Sequence, residues 1–297
     1  MMDDLHTDWS DAGPLRERLL ELPAAPDALP DAIENFLIHH AIARAIGFGV
    51  PATAEGDRSL RTAARLLAVI SARDSRPLPE HRALANYAYG TCHDFALLAA
   101  SALRERGTPA RLRAGFASYF RAGRWEDHWI CEHWTGSRWA VLDAQLGRRA
   151  RDGFAIGFDV ADVPAHGWRS AASVWRAIRS GEIEADACGV SFAGIKGAWF
   201  VAASVLRDAA ALAGIEALPW DYWGPAQSFG PVDGVPERDL PAIDALGAAL
   251  DPSPADRVES EAVLARFPWA RPGPTVWTFS PARGALEETP IRPQPAA

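Results

Sequence analysis

Apolar positions along the first hundred residues recur at helical spacing. Ile33, Phe36, Leu37, Ile42 and Ile46 predict one helix over Asp31–Ile46, ended by Gly47 and Gly49-Val50-Pro51. Leu60, Leu66, Leu67 and Ile70 predict a second over Ser59–Ala72, and a short one is expected near Leu15–Leu22. The run from Cys92 to Arg106 holds no glycine or proline, and Phe95, Leu98, Ala99, Ala102 and Leu103 make an inward stripe. Gly107 closes that helix and Pro109 forbids its continuation. The pattern then changes. Ala110–Tyr119, Trp125–Trp134 and Arg138–Leu142 alternate and carry aromatics, as strands do, with Thr135-Gly136-Ser137 as the turn between the last two.

Beyond Gly147 the stretches Ser170–Arg179, Lys196–Ala213, Ile243–Leu250 and Ser260–Phe267 predict helices. Residues 218–238 are dense in proline, glycine and aromatics, and the tail after Arg271 is proline-rich and expected to be extended. The reading is an α+β protein in three parts. A helical segment covers 1–58, a core 59–147, and a mainly helical extension packed on that core 148–297.

The chain of 297 residues is 48% hydrophobic and 23% charged, ordinary for a soluble globular protein. Its net charge of −8 argues against a nucleic-acid partner, which needs a basic surface. Met1-Met2-Asp3-Asp4 lacks the basic-then-apolar profile of a secretory signal, and the longest apolar run, Ala198–Leu206, is too short to span a bilayer. Three widely spaced cysteines cannot build a disulfide framework. A soluble cytoplasmic protein without a membrane partner is the expectation.

Chemistry enters at Gly90-Thr91-Cys92, where a thiol opens a helix directly after a glycine. The unpaired amides and dipole of a helix start lower a thiol's pKa, so Cys92 is the candidate nucleophile. Gly90 is expected to let the chain turn sharply. A two-residue turn at Gly136-Ser137 sets Thr135 opposite Arg138, which makes His128 and Asp143 diagonal neighbours on one face, roughly 7–8 Å apart at the backbone. His128 is then the candidate base, Asp143 the group that orients it, and His133 points to the other face. Cys131 and Cys188 are expected to be structural. Asp94 is expected to cap the first helical turn, and the adjacent His93 has no assigned role. An oxyanion would take the Cys92 N–H and a second donor, for which Asn86 is the candidate. Trp129, Trp220 and Trp223 are candidates for a substrate-pocket wall. His39-His40, side by side on a predicted helix, lack the i, i+4 spacing that binds zinc, so no metal site is expected.

Gly90-Thr91-Cys92-His93-Asp94-Phe95-Ala96, then Leu103-Arg104-Glu105-Arg106-Gly107-Thr108-Pro109-Ala110-Arg111, Gly115-Phe116, His128-Trp129 through Glu132, and Trp139 with Asp143 resemble, in order, the conserved segments of bacterial transglutaminase-like domains. Thr108 stands where that family usually has Ile, Trp follows the His directly, and Asp143-Ala144-Gln145 replaces a common D-P-T. The resemblance covers roughly 60–147 and implies a papain-like core, with a Cys-bearing helix on an antiparallel sheet that carries His128 and Asp143. It implies acyl transfer at an amide or thioester through a thioester acyl-enzyme, with no cofactor and no metal.

Peptide, amide and carrier-bound acyl groups are all candidate substrates, and oligomeric state is left open. Hydrolysis would make the chain a peptidase or amidase; an amine acceptor would make it a transamidase. The alternatives are an amide-forming acyltransferase of a small-metabolite, antibiotic-type pathway and a non-catalytic interaction module that keeps the fold. A metal hydrolase rests only on scattered histidines.

Overall fold

The computed structural model describes residues 5–280 and 284–292. The acidic start and parts of the tail expected to be extended lie outside the described residues. A sheet of six strands forms the centre. Its order is β6 (Trp168–Ser170), β3 (Ala110–Ala117), β4 (Trp125–Trp134), β7 (Cys188–Val190) and β8 (Ile195–Lys196), with β5 (Trp139–Leu142) also paired to β4. β5 and β7 share one edge of β4, β5 along its C-terminal half and β7 along its start. The β4–β5 register sets Cys131 against Leu142 and Trp134 against Trp139, the pairing expected from a Gly136-Ser137 turn.

The Cys92–Glu105 helix packs on β3 and β4. Its other side is covered by helices from the first 73 residues, including Ala63–Arg73, so every residue from Cys92 to Arg104 is buried rather than one stripe. The Ala198–Leu212 helix lies along β3 and is buried from Trp199 onward. Where it meets β3, Asp208 takes both arms of Arg113 and the Ala114 N–H at 3.0 Å. That carboxylate satisfies a backbone donor that a neighbouring strand would otherwise have to meet.

Two expectations need correction. Asp31–Ile46 is not one helix, because β1 (Leu37–His39) interrupts it and pairs in parallel with β2 (Ala88–Gly90). The apolar spacing there fits both states, and the tertiary pairing decides. Residues 148–297 hold more helix than strand, yet are not helical alone. They supply β6, β7 and β8 to the central sheet and a second sheet of β9 (Asp221–Tyr222), β10 (Thr275–Ser280) and β11 (Ala285–Pro290). β10 and β11 form a hairpin within the stretch expected to be an extended tail. No helix among the described residues is long and apolar enough to cross a membrane.

Candidate active site

Cys92 is the first residue of its helix, and Thr91 is the N-cap. The Asp94 carboxylate accepts the Thr91 N–H at 2.7 Å and its hydroxyl at 3.1 Å, closing the first turn as a capping residue does. Gly90 serves this cap by its size rather than by a special torsion. A Cβ there would lie 2.7 Å from Asp94 Oδ2, so any side chain would push the carboxylate off the turn.

His128 and Asp143 meet as their strand parity requires. His128 Nε2 donates to Asp143 Oδ2 at 2.7 Å, and both residues are almost fully buried. The same oxygen accepts the Tyr119 hydroxyl, while Asp143 Oδ1 accepts the Gln145 N–H at 3.0 Å. Burial and the Asp143 carboxylate push the Tyr119 phenol well above its ordinary range, so it stays a donor. With Nε2 committed to Asp143, Nδ1 is the ring nitrogen left to take a proton. No hydrogen bond joins His128 to the Cys92 thiol among the described residues. Trp129, the next residue, turns its backbone N–H toward the sulfur.

The backbone of His128 is held from behind. Trp168 Nε1 donates to the His128 carbonyl at 3.0 Å. Its indole fits only because Gly115, opposite His128 in the β3–β4 ladder, has no side chain; a Cβ there would lie 2.4 Å from Trp168 Cζ2.

Cys92 opens into a cavity of about 720 Å³. Phe192, Trp199, Phe200, Trp220, Phe229 and Trp277 give it an aromatic wall, all drawn from beyond residue 190. Its polar lining includes Thr91, Asp127, Arg58, His39 and His40. The thiol is not lowered as the helix start alone would predict. Burial pushes it well above the ordinary thiol range, and the Asp127 carboxylate is the next largest influence in the same direction.

Of the proposed wall residues, only Trp220 lines the cavity. Trp129 is buried edge-on against His93, because neighbouring strand residues face opposite sides and His128 takes the other one. Trp223 is buried and donates its indole N–H to the Ala270 carbonyl at 2.7 Å. Asn86 is not beside the thiol pocket; its amide donates to Asp74 at 3.2 Å, so it does not supply the second oxyanion donor expected of it. His93 is fully buried with Nε2 on the Glu216 carbonyl, His133 binds the Ala161 carbonyl, and Cys131 and Cys188 are buried away from the cavity.

Sequence reading missed His39 and His40. The parallel pairing of β1 with β2 sets His39 level with Gly90, two residues from Cys92. Its Nδ1 accepts the Ala41 N–H at 3.2 Å, which leaves the proton on Nε2. Burial first, then the neighbouring His40, hold its pKa well below the usual histidine value, so it is a neutral N–H donor. The signal was a His-His pair ending an apolar run of only three residues, too short to announce a strand.

Mixed α+β layers, a capped Cys helix, and a His on β4 bonded to an Asp just past the end of β5 define the class. A family model of the transglutaminase-like superfamily matches residues 41–144, and this stretch is a transglutaminase-like domain, of a kind that generally works by cysteine-based acyl transfer or hydrolysis. No curated protein and no solved structure matches the chain.

Proposed function

We propose that this chain is a cysteine-dependent acyltransferase for a small acyl donor carrying an apolar side group, working through a thioester on Cys92. The observation that carries the reading is the sulfur's position at the floor of an aromatic cavity, on an element adjoining the clamped His128–Asp143 pair. The Cys92 sulfur attacks the acyl carbonyl as its proton passes to His128 Nδ1, a step that needs the ring and the thiol to close up, since no hydrogen bond joins them and His128 does not line the cavity. The negative oxygen that forms is met by the Cys92 N–H, free at the helix start, and by the His39 Nε2–H. As the tetrahedral adduct collapses, the bond to the leaving group breaks and His128 returns the proton to that group. A second nucleophile, amine or water, then gives its proton to His128 and attacks the thioester, releasing amide or acid and the thiol. Asp143 keeps the imidazole in the Nε2–H tautomer and offsets its charge when protonated.

The raised thiol supports a second reading, an inert cysteine in a non-catalytic module. Intact-mass analysis after exposure to p-nitrophenyl 3-phenylpropanoate separates the two. One acyl group per chain, mapped to Cys92 and lost in Cys92→Ala, is expected; an adduct on Cys131 or Cys188, or none, refutes catalysis by Cys92. His39→Ala should slow acylation by about a hundred-fold, within the range for losing one oxyanion donor. It should leave alkylation by iodoacetamide, which forms no oxyanion, at the wild-type rate, and His39→Gln should restore much of the acylation.

A further inference from the structure

Asp127 takes no part in the proposed acyl transfer. It is next to His128 on β4, so it faces the opposite side of the sheet and looks into the cavity. Across the ladder it is paired with Phe116, whose ring meets Phe200 of the cavity wall edge-on, at 6.3 Å between centroids. Its carboxylate accepts no hydrogen bond and forms no ion pair among the described residues.

Arg207 lies near enough to favour the charged Asp127 but forms no ion pair with it, and its Nη2 has no hydrogen-bond partner among the described residues. Arg207 donates to the Asp221 carbonyl at 3.1 Å and to Ser204, and lies over the rings of Phe200 and Tyr222. Arg58 pairs with Glu55 at 3.0 Å. Burial lowers His40 to about 4 and His39 well below the usual histidine value, so both are neutral near pH 7. Asp127, pushed up to about 6 by burial, is still mostly ionised there.

A half-buried, unpaired carboxylate in a cavity otherwise walled by rings costs stability and works against the thiolate beside it. A bound cation would remove both penalties. A primary ammonium is suited to this place, having three donors and a compact charge.

We infer that the acyl donor is an aromatic amino-acyl group, its ammonium on Asp127 and its ring among Phe192, Trp199, Phe200 and Trp220. The inference rests on the proposed function for the acyl step, though not for binding. Asp127 lines the same cavity as Cys92 and its charge acts on the thiol, so an ammonium one or two carbons from the carbonyl is suited to pair with it while the carbonyl carbon meets the sulfur. The apolar side chain is then left to fill the cavity. A donor without the ammonium would fit the rings but leave the carboxylate unpaired.

The test compares p-nitrophenyl esters of L-phenylalanine and of 3-phenylpropanoic acid, each rate divided by that ester's reaction with free N-acetylcysteine. The wild-type kcat/KM ratio should favour the amino ester by about ten- to hundred-fold, the value of a hydrogen bond to a charged group. In Asp127→Asn the ratio should fall to near one; an equal ratio in both proteins overturns the inference. A second arm needs no chemistry. Titration calorimetry on Cys92→Ala should register L-phenylalaninamide binding at least ten-fold tighter than 3-phenylpropanamide, and loss of that difference in Cys92→Ala/Asp127→Asn. Equal affinities for the two amides in Cys92→Ala overturn it even if no ester acylates the protein. Acylation of Cys92 by both esters without preference would leave the proposed function standing and remove this one.

Discussion

Replacing Asp143 with Asn probes the candidate site where its hydrogen bonds are most fully determined. Oδ2 accepts two donors, the Tyr119 hydroxyl and His128 Nε2–H, and Oδ1 accepts the Gln145 N–H. An amide offers one acceptor oxygen, so its NH₂ must confront a donor on one side. Turned toward Gln145, it loses one hydrogen bond. Turned toward His128, it loses two, or drives the proton to Nδ1 and removes the acceptor needed by the thiol. The first arrangement therefore wins, and a buried bond left unmade costs about 1–3 kcal/mol of stability. Catalysis is expected to suffer as well, because the imidazolium proposed to form during thiol attack loses its counter-charge. A fall of roughly a hundred-fold corresponds to about 2.7 kcal/mol at about 1.36 kcal/mol per ten-fold. Urea unfolding measures the first quantity and stopped-flow release of p-nitrophenol the second. A variant that unfolds at lower urea yet acylates at the wild-type rate would make Asp143 an anchor for β5 and nothing more.

Gly115→Ala should destabilise the fold by about 1–3 kcal/mol, because the added Cβ falls 2.3 Å from the Arg169 carbonyl. Thermal melting and acylation should decline together as Trp168 is pushed from the His128 carbonyl. Arg113→Met leaves Asp208 buried with only a backbone donor and should cost about 3–5 kcal/mol in urea unfolding. Adding Asp208→Leu should recover part of that loss; no recovery would assign the cost to packing. Asp127 titrates near 6 when folded against 3.8 ordinarily, so the folded chain binds this proton more tightly than the unfolded one. Its contribution to stability is present below about pH 4 and is lost as pH rises through 6, by up to about 3 kcal/mol. Asp127→Asn should therefore be the more stable protein at pH 7 and lose that advantage near pH 4; a pH-independent difference refutes the assignment.

The elements proposed to carry the chemistry were legible because each obeys a strong local rule. A helix with no breaker between Cys92 and Gly107, and a turn that admits one register, suffice to bring His128 to Asp143. Other features depended on what packs where. The spacing of Ile33, Phe36 and Leu37 suits a helix, and only the pairing with Ala88–Gly90 reveals β1 and with it His39. Strands of two or three residues, such as β7 and β8, are too short to show a period. The thiol was misjudged because the helix start was considered alone. Burial and Asp127 act on the same sulfur and outweigh it. Trp129 shows a rule applied to one residue and not its neighbour, since the parity that selects His128 already turns Trp129 toward the core.

The division of labour along the chain has an evolutionary corollary. The segments proposed to break and form bonds end by residue 143, whereas the ring-bearing wall comes from residues 192 onward. Drift or duplication can thus exchange Phe192, Phe229 or Trp277 and retune molecular preference while the reactive apparatus is inherited unaltered. Descendants of one ancestor would then diverge in diet long before they diverge in chemistry.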